Sequence, residues 1–231
     1  MKIKNLYIVL LLCIAHTIFI PCTGQVRLVL SAAISDAYYE IRKQQYIASF
    51  HALAGYGYSN PYVVEALRKQ GPTFLDDYST NVFYSTANAP HYRNKGISEA
   101  LTLLEGFYHF GFHPDDIIIK MTGRYLMVSD YLLRIVENHP EYDAIVKVDS
   151  IGQVHTLAFA MRCKYFQEMF SSIDYPRMET LWINIEREVG DYIRRKAQQG
   201  NFKVLYLPKL DIKADLIGSA VSPGAAGVFI F

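Results

Sequence analysis

Asn94-Lys95-Gly96, a helical stretch to Phe110, and then Asp115-Asp116-Ile117-Ile118-Ile119-Lys120-Met121-Thr122-Gly123-Arg124-Tyr125 make up the segment whose reading decides the fold. Apolar residues at Ile97, Ala100, Leu101, Leu104, Phe107 and Tyr108 recur at three- and four-residue steps, so a helix beginning behind Asn94 lays one face on a core. Gly111 and Pro114 are its stop signals. Ile117-Ile118-Ile119 is a short β-branched run without polar alternation, the pattern of a strand covered on both faces. A strand of that kind needs helices above and below it, and the segment therefore predicts a layered α/β domain. Open α/β sheets place their ligands outside the carboxyl ends of the strands, which makes Lys120 to Tyr125 the first place to look for a site.

Working outward, the same alternation of strand and helix continues in both directions. Before the segment lie an opening strand, Val26 to Leu30, running into Ser31-Ala32-Ala33; a helix from Asp36 to Ala54 stopped by Gly55 and Gly57; a strand at Tyr62-Val63-Val64 with a helical turn from Glu65 to Lys69; and a strand at Val82-Phe83-Tyr84. After it come a helix from Val128 to Glu137 ended by His139-Pro140, a strand from Ala144 to Val148, and a strand from Val154 to Arg162 behind the Gly152 turn. A short helix at Tyr165 to Phe170, a long one from Tyr175 to Gln199 capped by Gly200, and a strand at Val204 to Leu207 complete the pattern. The tail from Ile212 to Phe231 is small, apolar and weakly periodic. The expected fold class is α/β, a single Rossmann-like domain whose mostly parallel mixed sheet is flanked by helices on both faces. Val154 to Arg162 follows its predecessor after a short turn and is expected to enter antiparallel.

With 231 residues, 51% of them hydrophobic and 19% charged, the chain can bury one good core. Its formal net charge of +1 provides no global field for nucleic acid, so a phosphate contact must come from locally placed groups. Lys2 and Lys4 precede an apolar run from Leu6 to Ile20, interrupted only by His16 and Thr17 and followed by Pro21-Cys22-Thr23-Gly24. Residues 1–24 read as a signal peptide or, alternatively, an uncleaved membrane anchor of about 17 residues, leaving 25–231 as the working domain. The chain is then exported or secreted, or tethered to a membrane through that segment. Cys13 and Cys22 fall inside it, so Cys163 stands alone and neither a disulfide framework nor a cysteine zinc site can be built. Nor do the seven histidines form a helical metal pair, and nucleophile-elbow and phosphate-loop motifs are absent.

The opening strand into a small-residue turn, the Val63-Val64-Glu65 strand, the Asn94-Lys95-Gly96 helix start and the Ile-Ile-Ile-Lys-Met-Thr-Gly-Arg-Tyr strand end, in this order, resemble the nucleotide-sugar glycosyltransferases of the GT-A fold. Among these, the likeness is to small bacterial and viral members with a Lys-x-Thr/Ser-Gly-Arg-Tyr signature, and it spans roughly residues 26–219. The resemblance implies a nucleotide-sugar donor and a glycan or lipid-linked acceptor. It also implies that Ser31 and Ala32 at the first strand's turn, together with Glu65, hold the nucleotide. Asn94, Lys95 and Gly96 then approach the sugar diphosphate, and Lys120, Thr122, Gly123, Arg124 and Tyr125 face the sugar. Such enzymes typically hold a divalent cation, Mn or Mg, on the diphosphate with an aspartate-any-aspartate motif at the central strand's end. Here Thr122-Gly123-Arg124 stands in that place, and no metal ligand is assigned. Arg124 and Lys120 could replace the cation by stabilising the leaving diphosphate.

Each of these residues also has a plainer reading. Arg124 could be a structural ion pair, Lys120 could point to solvent, and Asn94 could simply cap its helix. An inverting transfer needs a general base near the acceptor hydroxyl, and Glu179, near the start of the long helix, and Asp149, at a strand end, are the candidate catalytic residues. A carboxylate at Glu179 could equally complement a helix dipole. The rival reading from another class is a catalytically inactive GT-A-like protein that binds a glycan or partner. A nucleotidyltransferase is disfavoured because no Gly-rich basic loop follows the first strand.

Overall fold

The structure, a computed structural model, describes residues 24–215 and 228–231. Residues 1–23, carrying nearly all of the expected signal or anchor, and 216–227, within the expected apolar tail, lie outside the described residues. Among the described residues, no helix is long and apolar enough to cross a membrane.

The central sheet has seven strands: β1 (Val26–Ala32), β2 (Tyr62–Glu65), β3 (Val82–Tyr84), β4 (Ile117–Thr122), β6 (Ala144–Val146), β7 (Ala158–Arg162) and β8 (Val204–Tyr206). Their spatial order is β3-β2-β1-β4-β7-β6-β8. β1 pairs in parallel with both β2 and β4, while β7 runs antiparallel to β4 and β6. This is the mixed, mostly parallel Rossmann-like sheet expected from the sequence, with the Val154–Arg162 region supplying the antiparallel member.

Both faces are covered. Leu28, Leu30, Ile117, Ile119 and Met121 point into a core shared with α1 (Tyr39–Gly55) and α3 (Tyr131–Asn138). Their neighbours Val29 and Ile118 point the other way, towards α2 (Lys95–Phe110), α4 (Cys163–Ser172), α5 (Tyr175–Thr180) and α6 (Ile185–Gln198). The triple isoleucine therefore behaves as read, with period-2 alternation between two dry faces. Lys120 continues the Ile118 face and is only 1% exposed, so the reading that it points to solvent is overturned.

Several boundaries differ from expectation, each for a local reason. The long helix expected from Tyr175 to Gln199 is two helices: Trp182 takes a left-handed φ of 51°, and the Asn184 side chain accepts the Arg187 amide to start α6 afresh. Ahead of β7, Val154 forms only an isolated bridge to Val148. Glu65 closes β2 rather than opening a helical turn, because its carboxylate captures the Leu67 and Arg68 amides at 2.7 and 3.0 Å. A second small sheet, β5 (Leu126–Met127), β9 (Ile212–Asp215) and β10 (Val228–Ile230), was not expected. Two- to four-residue strands leave too little alternation to read.

Candidate functional site

Chain order reverses at β1: β2 lies on one side of it and β4 on the other, which makes the carboxyl ends of β1 and β4 the topological switch point. Ser31 is paired with Thr122 there, and the Gly123 amide donates to the Ser31 carbonyl at 2.9 Å. A Cβ on Gly123 would meet Tyr46 Cε1 at 3.0 Å and both Leu30 Cβ and the Ser31 carbonyl oxygen at 3.3 Å. Glycine is favoured because the β4 turn folds down on α1 and β1 at this point, leaving only tight room for a Cβ. The turn then places Arg124 partly exposed and returns Tyr125 to the core.

Two groups of charge flank this turn. On the α2 side, the buried Lys120 ammonium is 2.5 Å from a Glu99 carboxylate oxygen and donates to the Thr156 carbonyl at 2.7 Å. Ser31 Oγ donates to the same carboxylate at 3.2 Å, and Thr156 Oγ1 donates to Glu186 at 2.8 Å. A buried ammonium is tolerable only with such partners, since an unpaired one loses its hydration without return. Lys120 is thus brought to the site region, but its charge is directed at Glu99.

On the α1 side, Arg42 Nη1 donates to the Ala33 carbonyl at 2.8 Å, and the Ala33 amide donates to the Tyr46 hydroxyl at 2.8 Å. Arg124 Nη2 donates to the Tyr125 hydroxyl at 3.1 Å, with its guanidinium over that ring. Burial lowers the Arg42 pKa, and the Arg124 charge lowers it further. Burial raises the phenol pKa of both Tyr46 and Tyr125.

Glu65 is fully buried, and its carboxylate accepts the Ile34 amide in addition to those of Leu67 and Arg68. Burial raises its pKa against the opposing pull of those hydrogen bonds. It organises the loop after β1, and the carbonyl of Ala32, the last residue of β1, accepts the Ala66 amide.

The Asn94-Lys95-Gly96 element joins α2 to the α5–α6 connection. Asn94 Oδ1 caps the Gly96 amide at 3.1 Å, and its Nδ2 donates to the carbonyls of Met178 and Ile183 at 3.2 and 2.7 Å. Gly96 is small because Met178 Cε and Ile185 Cβ would lie 2.9 and 3.0 Å from a Cβ. Lys95 is exposed. Glu179 sits in the last half of α5, not at the start of a long helix, and accepts the Asn94 and Arg93 amides at 2.9 and 3.1 Å. Those bonds, the Asn94 amide first, hold its pKa below the ordinary carboxylate value. Asp149 Oδ1 accepts the Ile151 and Gln153 amides of its own turn.

A carboxylate-held divalent cation does not fit the end of β4. Glu99 is committed to Lys120 and Ser31, Glu65 to three amides, and Asp149 to its turn. Among the described residues, no group of three His, Cys, Asp or Glu side chains is placed to hold a metal ion.

Sequence reasoning missed Glu99, Arg42 and Tyr46. Arg42 and Tyr46 are four apart on one helix face, a spacing that could have flagged them. Glu99 carried only the signal of an acid one turn into a helix that starts at the strand ends.

No protein-family model matches the chain, and no curated protein matches it. Among solved structures, the galactosyltransferase LgtC, in complex with donor and acceptor sugar analogs, is similar at 14% identity and a TM-score of 0.42, covering 78% of this chain and 73% of that one. A 4-diphosphocytidyl-2C-methyl-D-erythritol synthase gives 12% identity and a TM-score of 0.47 over 81% of this chain and 91% of that one. The glycosyltransferase GlyE of Streptococcus pneumoniae TIGR4 gives 10% identity and a TM-score of 0.40, covering 79% of this chain and 46% of that one.

Proposed function

We propose that residues 25–231 form a glycosyltransferase domain that moves a sugar from a nucleotide-sugar donor to a glycan or lipid-linked acceptor. The observation that carries this reading is geometric: Arg42 is bonded to the Ala33 carbonyl just past β1, and Arg124 follows the close-packed Gly123 turn that is bonded to Ser31 at the switch point. When the bond from the sugar's anomeric carbon to the diphosphate oxygen breaks, negative charge grows on the leaving diphosphate. Guanidinium donors set beside it are worth more there than in the ground state, because that charge develops only as the bond breaks. Arg124 and Arg42 are assigned to the diphosphate. The β1 turn, Ser31 to Ile34, is assigned to the nucleoside. The acceptor hydroxyl must lose its proton as it attacks, and Glu179 and Asp149 are the candidate bases. Glu179 is ionised at neutral pH, as a base must be, although its lowered pKa weakens it.

Residues 1–24 are assigned as the signal or anchor that exports the domain or tethers it to a membrane. A second reading, a non-catalytic glycan-binding relative, is favoured by one observation: the carboxylates nearest the switch point are already engaged within the protein. Release of nucleoside diphosphate from a panel of nucleotide sugars, with manganese or with a chelator, separates the two. Release with one nucleotide base, indifferent to chelation and lost in Arg124→Ala, is the expected result. Binding without release would support the non-catalytic reading.

A further inference from the structure

Trp182, the chain's one tryptophan, occupies a position that packing does not explain. Its backbone has φ 51°, a left-handed conformation that bulky residues rarely adopt and glycine adopts freely. Its ring is nonetheless 59% exposed, and the preceding Leu181 is 60% exposed. Arg93 stacks its guanidinium 5.3 Å from the ring centre and pairs with Glu179 at 3.5 Å. The loop beneath the ring is fixed: Asn94 Nδ2 holds the Ile183 carbonyl, the Ile183 amide donates to the Met178 carbonyl at 3.0 Å, and Glu179 holds the amides of Arg93 and Asn94. An aromatic ring is therefore displayed on a rigid mount in a strained backbone conformation.

From Asn94 to Glu99, which contacts Ser31 at the switch point, is five residues, or about 7.5 Å of helix. The mount of the ring thus lies at the same end of the sheet as the proposed transfer point. We infer that Trp182, with Arg93, forms a glycan subsite in which the ring stacks on a sugar face while the guanidinium hydrogen-bonds its hydroxyls. This rests on the glycosyltransferase reading and names its acceptor as a saccharide. A membrane surface is the rival occupant of an exposed Leu-Trp pair. It is disfavoured because the cations around the pair are matched by acids: Arg93 by Glu179, Arg177 by Glu188 and Arg187 by Asp191.

The single tryptophan makes the test direct, because its emission reports on this position alone. The full chain is titrated with lactose, maltotriose, chitotriose and a sialylated trisaccharide, and separately with phosphatidylglycerol vesicles. In parallel, nucleoside diphosphate binding is followed by thermal shift. At least one saccharide is expected to change the emission saturably. By calorimetry, Trp182→Gly is expected to weaken that saccharide about tenfold or more while leaving nucleotide binding unchanged. Because glycine suits the backbone at this position, the same variant is expected to melt no lower than the wild type. Saccharide binding undiminished in Trp182→Gly, a response to vesicles alone, or no response to any saccharide while nucleotide still binds would each overturn the subsite and leave the transferase reading standing. If neither saccharide nor nucleotide binds, both fall.

Discussion

The Asn94-Lys95-Gly96 and Thr122-Gly123-Arg124 turns lie at the same end of the sheet and carry the same residue types: an uncharged polar residue, a glycine and a cation. In the first turn, the asparagine spends its hydrogen bonds on Gly96, Met178 and Ile183, and the glycine makes room for Met178 and Ile185. In the second, the glycine lets the chain fold onto β1, and the arginine is delivered beside a second guanidinium. The two look alike in sequence and differ in where their hydrogen bonds end. The first fastens helices together; the second arranges charge at a switch point.

Substitutions can break that contrast, and the largest effect is expected beneath the two turns. Lys120→Ala strands the Glu99 carboxylate and leaves the Thr156 carbonyl without its donor. A loss of about 3 kcal/mol in denaturant unfolding is expected, the low end for breaking a buried pair because Glu99 is 30% exposed. Asn94→Ala, which removes a helix cap and two buried hydrogen bonds, is expected to cost about 2 kcal/mol while the surviving folded protein binds nucleotide as before. Gly123→Ala presses on Tyr46 and Leu30 and is expected to cost about 1–2 kcal/mol. Unlike the asparagine change, it is expected to weaken nucleotide binding in calorimetry, because it moves the turn that carries Arg124.

The smallest effect is one of pH. Burial raises the Glu65 pKa above its ordinary value of 4.5, so the folded chain keeps this proton to higher pH than the unfolded chain does. Between the two values the folded state binds more protons, and stability falls as pH rises through that window. Glu65→Gln is expected to flatten this slope at a cost of about 1 kcal/mol, because it keeps the oxygen that takes three of the four amide contacts but sets a side-chain NH2, itself a donor, against the Ile34 amide in the fourth. Glu179 acts with the opposite sign: its lowered pKa stabilises the fold above the ordinary carboxylate value and is lost as pH falls through the depressed one.

Much of the sheet was legible in the sequence because a run such as Ile117-Ile118-Ile119 allows one arrangement, a strand dry on both faces. The antiparallel β7 was legible from the brevity of the turn before it. Trp182 was hidden because a left-handed residue inside an otherwise periodic stretch leaves no mark on hydrophobic spacing. Glu99 was hidden because its partner, Lys120, lies 21 positions away and meets it only once helix α2 is laid over strand β4. Pairings that depend on tertiary packing, such as Arg42 with Arg124, are not written in any local pattern.

The most direct test of the central claim is calorimetric titration of nucleoside diphosphates into the wild type and Arg124→Ala, each with manganese and with a chelator. One nucleoside diphosphate is expected to bind the wild type equally under both conditions. Binding is expected to be lost in Arg124→Ala while the melting temperature is kept. Undiminished binding in the variant, or binding only with manganese, would contradict a switch point at which guanidinium charge receives the diphosphate.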